Sequence, residues 1–240
     1  MANNYFQFKE FTIAQERCSM KVCTDSCLFG AWAAERVART SPTPQGILDI
    51  GTGTGLLSLM MAQKNPGKIE AVEIDPESAG QARENFDNSP WKDRIHLFLS
   101  DIKHHNTTSR YDWIISNPPF FENDLRSPDE GINRARHNTG LEVDELLPIV
   151  SGLLAQSGSF SLLLPESRAL RFENRAAEFG LFASRELKVR QSPKHPPFRS
   201  FLILQKEKQI RESSEMAITG IKGRYTPEFL ELLRPYYLKL

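Results

Sequence analysis

Apolar residues in this chain come in short blocks divided by glycine, proline or charge, and the spacing inside the blocks switches between two periods. Tyr5-Phe6-Gln7-Phe8-Lys9 and Phe11-Thr12-Ile13 alternate, which predicts a short strand pair or an extended flap over residues 5–14. Leu28, Ala31, Trp32 and Glu35 then follow helical spacing behind Thr24-Asp25-Ser26, whose side chains offer an N-cap. A helix is predicted from Thr24 to about Arg39, where Ser41-Pro42-Thr43-Pro44 stops it. From there strands and helices take turns: a strand at 47–50, a helix through Leu56, Leu57, Leu59, Met60 and Met61, and a strand at 69–72. Asp75-Pro76 opens a helix running to about Asp87, and strands follow at 95–99 and 111–115. Past residue 142 the alternation continues with a helix at 143–156, a strand at 160–164 and a helix at 166–179 closed by Gly180. A strand at 181–189, a last strand at 199–204 and a final helix near Tyr225-Thr226-Pro227 complete it. Short, continuously apolar strands alternating with helices predict an α/β fold, in which a mostly parallel sheet is covered on both faces. Residues 122–141 hold few apolar side chains and many charges, and read as a lid.

Composition narrows this picture. A chain of 240 residues, 40% of them hydrophobic, supports one α/β domain over 1–240, with residues 1–24 as an N-terminal extension. Lys plus Arg and Asp plus Glu both total 30, so any basic surface must be local. One candidate lies between Arg185 and Arg211, where eight Lys or Arg face two Glu. It is either a solvated face or a phosphate-contacting one, the latter through Lys188, Arg190, Lys194 and Arg199. Cys18, Cys23 and Cys27 are odd in number and have no zinc-site or redox spacing, so free thiols in a reducing compartment and no metal are expected. No apolar run approaches the ~20 residues of a membrane span. A soluble, cytoplasmic monomer is expected.

Two stretches carry candidate chemistry. Gly51-Thr52-Gly53-Thr54-Gly55 joins an apolar strand to an apolar helix, and glycines at alternate positions let the backbone turn tightly and approach a ligand. Leu56 stands where a dinucleotide fingerprint would have its third glycine, which argues against NAD and FAD. Glu73, some 20 residues on, can hold both hydroxyls of a ribose. The cap at Thr24 and Asp25 is either a plain helix cap or a cap folded against the ligand. The second stretch, Ser116-Asn117-Pro118-Pro119-Phe120-Phe121, follows the strand that ends at Ile115. Two prolines stiffen it and remove two amide donors, so the Asn117 side-chain oxygen and the Pro118 carbonyl can each accept one hydrogen of a planar NH2 group. Phe120 then offers a stacking face. An ordinary turn is the alternative.

Asp49-x-Gly51-x-Gly53-x-Gly55 resembles the cofactor loop of S-adenosylmethionine-dependent methyltransferases. Together with Met20-Lys21-Val22, Thr24-Asp25, Val72-Glu73-Ile74-Asp75, Asn117 to Phe121, Arg134-Ala135-Arg136-His137, Arg224-Tyr225-Thr226 and Tyr236-Tyr237-Leu238, it resembles the class I methyltransferases acting on exocyclic nitrogens. The similarity is nearest to the bacterial tRNA(Val) adenine-37 N6-methyltransferase family. The resemblance implies a Rossmann-like, seven-stranded, mostly parallel sheet whose last strand is antiparallel, S-adenosylmethionine as cofactor and tRNA as partner. It further implies that Asp101 accepts from the cofactor's adenine amino group between Ile74 and Ile102, and that Arg136 contacts RNA. Where many relatives have glycine, this chain has Cys23 and Cys27. Related loops also serve guanine N2- and protein-glutamine methyltransferases, and a degenerate binding module is the non-enzymatic alternative. The glutamine enzymes carry an N-terminal helical domain that this chain has no room for.

Overall fold

The computed structural model describes residues 3–18, 20–105, 107–118 and 143–240; the expected lid lies outside them. Strands β1 (Tyr5–Gln7) and β2 (Thr12–Ala14) form an antiparallel pair. The pair is packed: Phe8, Phe11 and Ile13 are buried, and Phe8 bridges to Tyr237 near the C-terminus. Helix α1 (Thr24–Arg39) is followed by β3 (Gly46–Ile50), α2 (Leu56–Lys64), β4 (Lys68–Glu73), α3 (Pro76–Asp87), β5 (Ile95–Leu99) and β6 (Tyr111–Ser116). The second half contains α4 (Val143–Leu153), β7 (Leu154–Pro165), α5 (Glu166–Glu178), β8 (Phe182–Arg190), β9 (Pro197–Gln205), β10 (Glu212–Ala217) and α6 (Pro227–Leu233).

Among the described residues the main sheet has eight strands in the order β10-β8-β9-β7-β6-β3-β4-β5. Its neighbours pair in parallel except around β9, which runs against both β7 and β8. The fold class is as expected, but seven strands become eight. The additional strand, β10, reads Glu-Ser-Ser-Glu-Met-Ala and is mostly exposed, so it carries no apolar alternation; its pairing with β8 comes from the backbone. The antiparallel strand is therefore the last but one.

Successive residues of each central strand point into opposite cores. Ile47, Trp113 and Ile203 join α1, α2 and α6 in one apolar cluster, and Leu48, Ile114 and Leu202 join α4 and α5 in the other. This two-sided burial makes the strands apolar throughout. The predicted helix at 143–156 ends three residues early, at Leu153, and β7 starts at once. Between the pairs Tyr111↔Leu154 and Trp113↔Ser159 the register shifts, and Gly158 sits in this irregularity, where a Cβ would lie 2.9 Å from the Tyr111 carbonyl. Bulged residues lose the two-residue period, so Gln156-Ser157-Gly158 reads as a break although the strand passes through it.

Candidate active site

The chain leaves β3, turns through α2 to β4 and α3 to β5 on one side, then crosses back to β6 on the other side of β3. Beyond the carboxyl ends of β3 and β6 lies the switch point where such sheets bind ligands. Ile50 pairs with Ser116, so the next residues, Gly51 and Asn117, leave neighbouring strands at the same level of the sheet.

Gly51, Gly53 and Gly55 have φ of 72°, 54° and 84°, in the region that favours glycine. They differ in surroundings. A Cβ on Gly55 would strike the ring of Phe86, whereas one on Gly51 or Gly53 would meet no atom within 4 Å. Packing explains the third glycine, and the first two border open space that a ligand can fill.

Asp49 is fully buried beneath this loop. Its Oδ2 accepts from Thr52 Oγ1 at 2.6 Å, Ser58 Oγ at 2.7 Å and the Ser58 amide at 3.1 Å, while Oδ1 has no partner. Burial raises its pKa to about 6 against the lowering effect of those hydrogen bonds, and the nearby Glu73 charge pushes the same way as burial. Glu73 holds the loop from the next strand: Oε2 accepts from the Gly53 amide at 2.8 Å, and Oε1 from the amides of Ile74 and Asp75, each at 3.0 Å. Oε1 is thus filled by two amides, and a lone pair on Oε2 remains for a ribose hydroxyl.

Ile74 and Ser100-Asp101-Ile102 follow the adjacent strands β4 and β5. Ile74 stands 45% exposed, whereas Ile102 is 8% exposed and belongs to the core beneath. Asp101 caps a short 3-10 turn by accepting from the Lys103 amide at 2.9 Å. Asn117 is half-buried and donates from Nδ2 to Ser26 Oγ at 3.2 Å, with Pro118 buried behind it. Phe120 and Arg136 lie outside the described residues.

The start of α1 corrects one expectation. Cys23, not the Thr24-Asp25-Ser26 triplet, occupies the cap position, and it makes no side-chain cap bond; Thr24 is the first helical residue and is exposed. Asp25 is engaged elsewhere: Oδ1 accepts from the Ser26 amide at 3.1 Å and Oδ2 from Arg199 Nε at 2.8 Å. Residues that sequence reasoning missed here are Ser26, Thr52 and Ser58. Ser58 alone left a signal, as a hydroxyl inside an otherwise apolar helix.

Lys188, Arg190, Lys194 and Arg199 all fall at the carboxyl end of β8, in the following loop or at the start of β9, on the same rim as Asn117. Acids meet three of them. Lys188 Nζ lies 2.8 Å from Glu166, Arg190 pairs with Glu215, and Arg199 pairs with Asp25. A cavity of about 350 Å³ lined by Trp32, Arg36, Met216 and Tyr236 sits along the C-terminal half of α1, away from the glycine loop. Among the described residues no helix is long and apolar enough to cross a membrane, and no three His, Cys, Asp or Glu group as metal ligands.

Residues 34–133 match the methyltransferase small domain family. Over its full length the chain is 41% identical to the tRNA1(Val) (adenine(37)-N6)-methyltransferase of Bacteroides thetaiotaomicron, all of which is covered. It is 42% identical to the protein of that name from Dyadobacter fermentans, over 99% of this chain and 98% of the relative. A predicted O-methyltransferase from Agrobacterium tumefaciens superposes with a TM-score of 0.64 at 16% identity, over 84% of this chain and 95% of that one. A glycopeptide N-methyltransferase complexed with S-adenosylmethionine gives a TM-score of 0.55 at 13% identity, over 74% and 94%. The two solved structures share the fold, and the full-length relatives share the sequence, so this chain belongs to the tRNA1(Val) (adenine(37)-N6)-methyltransferase family.

Proposed function

We propose that this chain transfers a methyl group from S-adenosylmethionine to N6 of adenine 37 in tRNA1(Val), as a monomer in the cytoplasm. The observation that carries this reading is the emergence of Gly51 and Asn117 from paired strands, which sets a cofactor loop beside an NH2-accepting loop. Gly51 and Gly53 border the donor, and Glu73 takes a ribose hydroxyl on the Oε2 lone pair its amide donors leave over. Asp101 accepts from the donor's adenine, with Ile74 and Ile102 against the ring. Thr24 closes the near side, and Asp49, buried beneath the glycine loop and away from the ligand's reach, holds that loop through Thr52 and Ser58.

When bound, S-adenosylmethionine supplies an electrophilic methyl on a positively charged sulfur. The task of the protein is to aim the nitrogen. An exocyclic adenine nitrogen delocalises its lone pair into the ring, so it attacks well only when made more pyramidal; acceptors on its two hydrogens, Asn117 Oδ1 and the Pro118 carbonyl, favour that geometry. Phe120 replaces the stacking lost when the base turns out of its loop, worth ~1–3 kcal/mol. Asn117 is too weak a base to take the proton first. The methylated amino cation is acidic and releases its proton to water afterwards.

Unmodified tRNA1(Val) incubated with methyl-labelled cofactor and digested to nucleosides should yield label in N6-methyladenosine. Asn117→Ala should cut transfer by at least ~10²-fold while leaving S-adenosylhomocysteine affinity nearly unchanged, because one orienting acceptor is lost. Label in N2-methylguanosine, or only in a protein glutamine, would refute the adenine assignment; no label in any acceptor would refute methyl transfer.

A further inference from the structure

Asn117 can present its oxygen to the substrate amino group only if its side-chain amide is turned the right way. The opposite rotamer would point an NH2 group at an NH2 group. Among the described residues of the strand-end loop, Asn117 and Pro118, no hydrogen bond chooses between the two. Across from it, however, the first turn of α1 offers Ser26, which is buried and lies 3.2 Å from Asn117 Nδ2.

A serine hydroxyl can donate or accept, so Ser26 discriminates only if its own proton is committed elsewhere. Cys23 Sγ stands 2.9 Å from Ser26 Oγ. Cys23 is exposed as a residue, but desolvation of its sulfur and then the adjacent Asp25 carboxylate raise the thiol pKa and keep it protonated, with that carboxylate as the acceptor of its hydrogen. The sulfur is thereby left as the acceptor for the Ser26 hydroxyl. Burial pushes the Asp25 carboxyl up, but its hydrogen bond from Cys23 and its bond and charge contact with Arg199 outweigh this and keep it ionised. An ionised carboxylate only accepts, which fixes the direction of every bond before it.

We infer that Ser26 is a positioning residue for methyl transfer, held as an acceptor by a one-way chain through Cys23 and Asp25 to Arg199, so that Asn117 Oδ1 faces the substrate nitrogen. The inference rests on the methyl-transfer reading above. Ser26 touches neither substrate nor cofactor; it acts through Asn117.

The test compares Ser26→Ala, Ser26→Thr and wild type on unmodified tRNA1(Val) with S-adenosylmethionine. Ser26→Ala should lower kcat about fivefold, as expected for losing a bond of ~1 kcal/mol, with KM for tRNA and S-adenosylhomocysteine affinity unchanged; Ser26→Thr, which keeps the hydroxyl, should restore kcat. In an Asn117→Asp background both side-chain oxygens accept, so adding Ser26→Ala should change kcat less than twofold. Independently of activity, the Asn117 side-chain NH2 signals should carry one hydrogen-bonded proton in wild type and Ser26→Thr, and none in Ser26→Ala. An unchanged kcat and unchanged NH2 signals in Ser26→Ala would overturn the inference. So would an equal loss in the Asn117→Asp background, which would mark a general structural defect. A wild type that methylates no adenine would defeat the functional reading, while the NH2 signals would still report on the orientation of Asn117.

Discussion

Asp49 concentrates the residue-scale physics of the site. A carboxylate with no exposed surface, one oxygen triply bonded and the other orphaned, is more easily protonated in the folded protein than in the unfolded chain. Its pKa of about 6 lies above the ordinary 3.8, so the folded state binds a proton between those values that the unfolded state does not. The contribution to stability is therefore unfavourable above pH 6 and is relieved as pH falls toward 4. Comparing wild type with Asp49→Asn by urea unfolding in the absence of cofactor, the stability difference should change by on the order of 2–3 kcal/mol between pH 7 and pH 4, the variant gaining at the higher pH. Parallel curves would mean that Asp49 titrates alike in both states. Sequence made Asp49, Glu73 and the glycines legible, because spacing from a strand end defines them. It could not separate Gly55, which yields to Phe86, from Gly51 and Gly53, which face open space, since that difference lies in what another helix brings near.

At the scale of elements, local chemistry predicted starts and stops where side chains cap their own helix. Asp75 accepts from the Ser78 amide at 2.8 Å and Thr226 from the Phe229 amide at 3.3 Å, as their places ahead of proline suggest. It failed at α1, where Asp25 turns to Arg199, 174 residues away, and leaves Cys23 at the cap. Contacts of that range have no local signature. Asn85 on α3 is a further case: buried, it accepts from the Ala14 amide at 2.8 Å and donates to the carbonyls of Ala14 and Thr54, each at 2.9 Å. One side chain thus fastens the N-terminal strand pair and the glycine loop to the same helix. Asn85→Ala should cost about 2–4 kcal/mol, seen as a lower urea midpoint, because the Ala14 amide loses its acceptor in a site water reaches poorly. A loss under about 1 kcal/mol would show that the strand pair is held by Phe8, Phe11 and Ile13 alone.

For the whole molecule, the alternation of apolar strands and helices specified a doubly covered parallel sheet, and only the polar edge strand β10 escaped. Net charge told less than pairing does. The basic rim read from the sequence is largely matched by acids in space, Lys188 by Glu166, Arg190 by Glu215 and Arg199 by Asp25, so Lys194 is the better candidate for an RNA phosphate. Lys194→Glu should weaken tRNA binding several-fold at low salt and reduce the dependence of log affinity on log salt by about 1. Cofactor affinity should stay unchanged. Unaltered RNA affinity would leave Lys194 as an ordinary solvated charge.

The grip of Glu73 on three backbone amides bears on how the molecule spends its conformational freedom. With the Gly53, Ile74 and Asp75 amides already bonded, the floor of the cleft is ordered during folding and not at encounter. Little of the entropy lost on association then belongs to this floor, which meets the incoming small molecule as a surface shaped before contact.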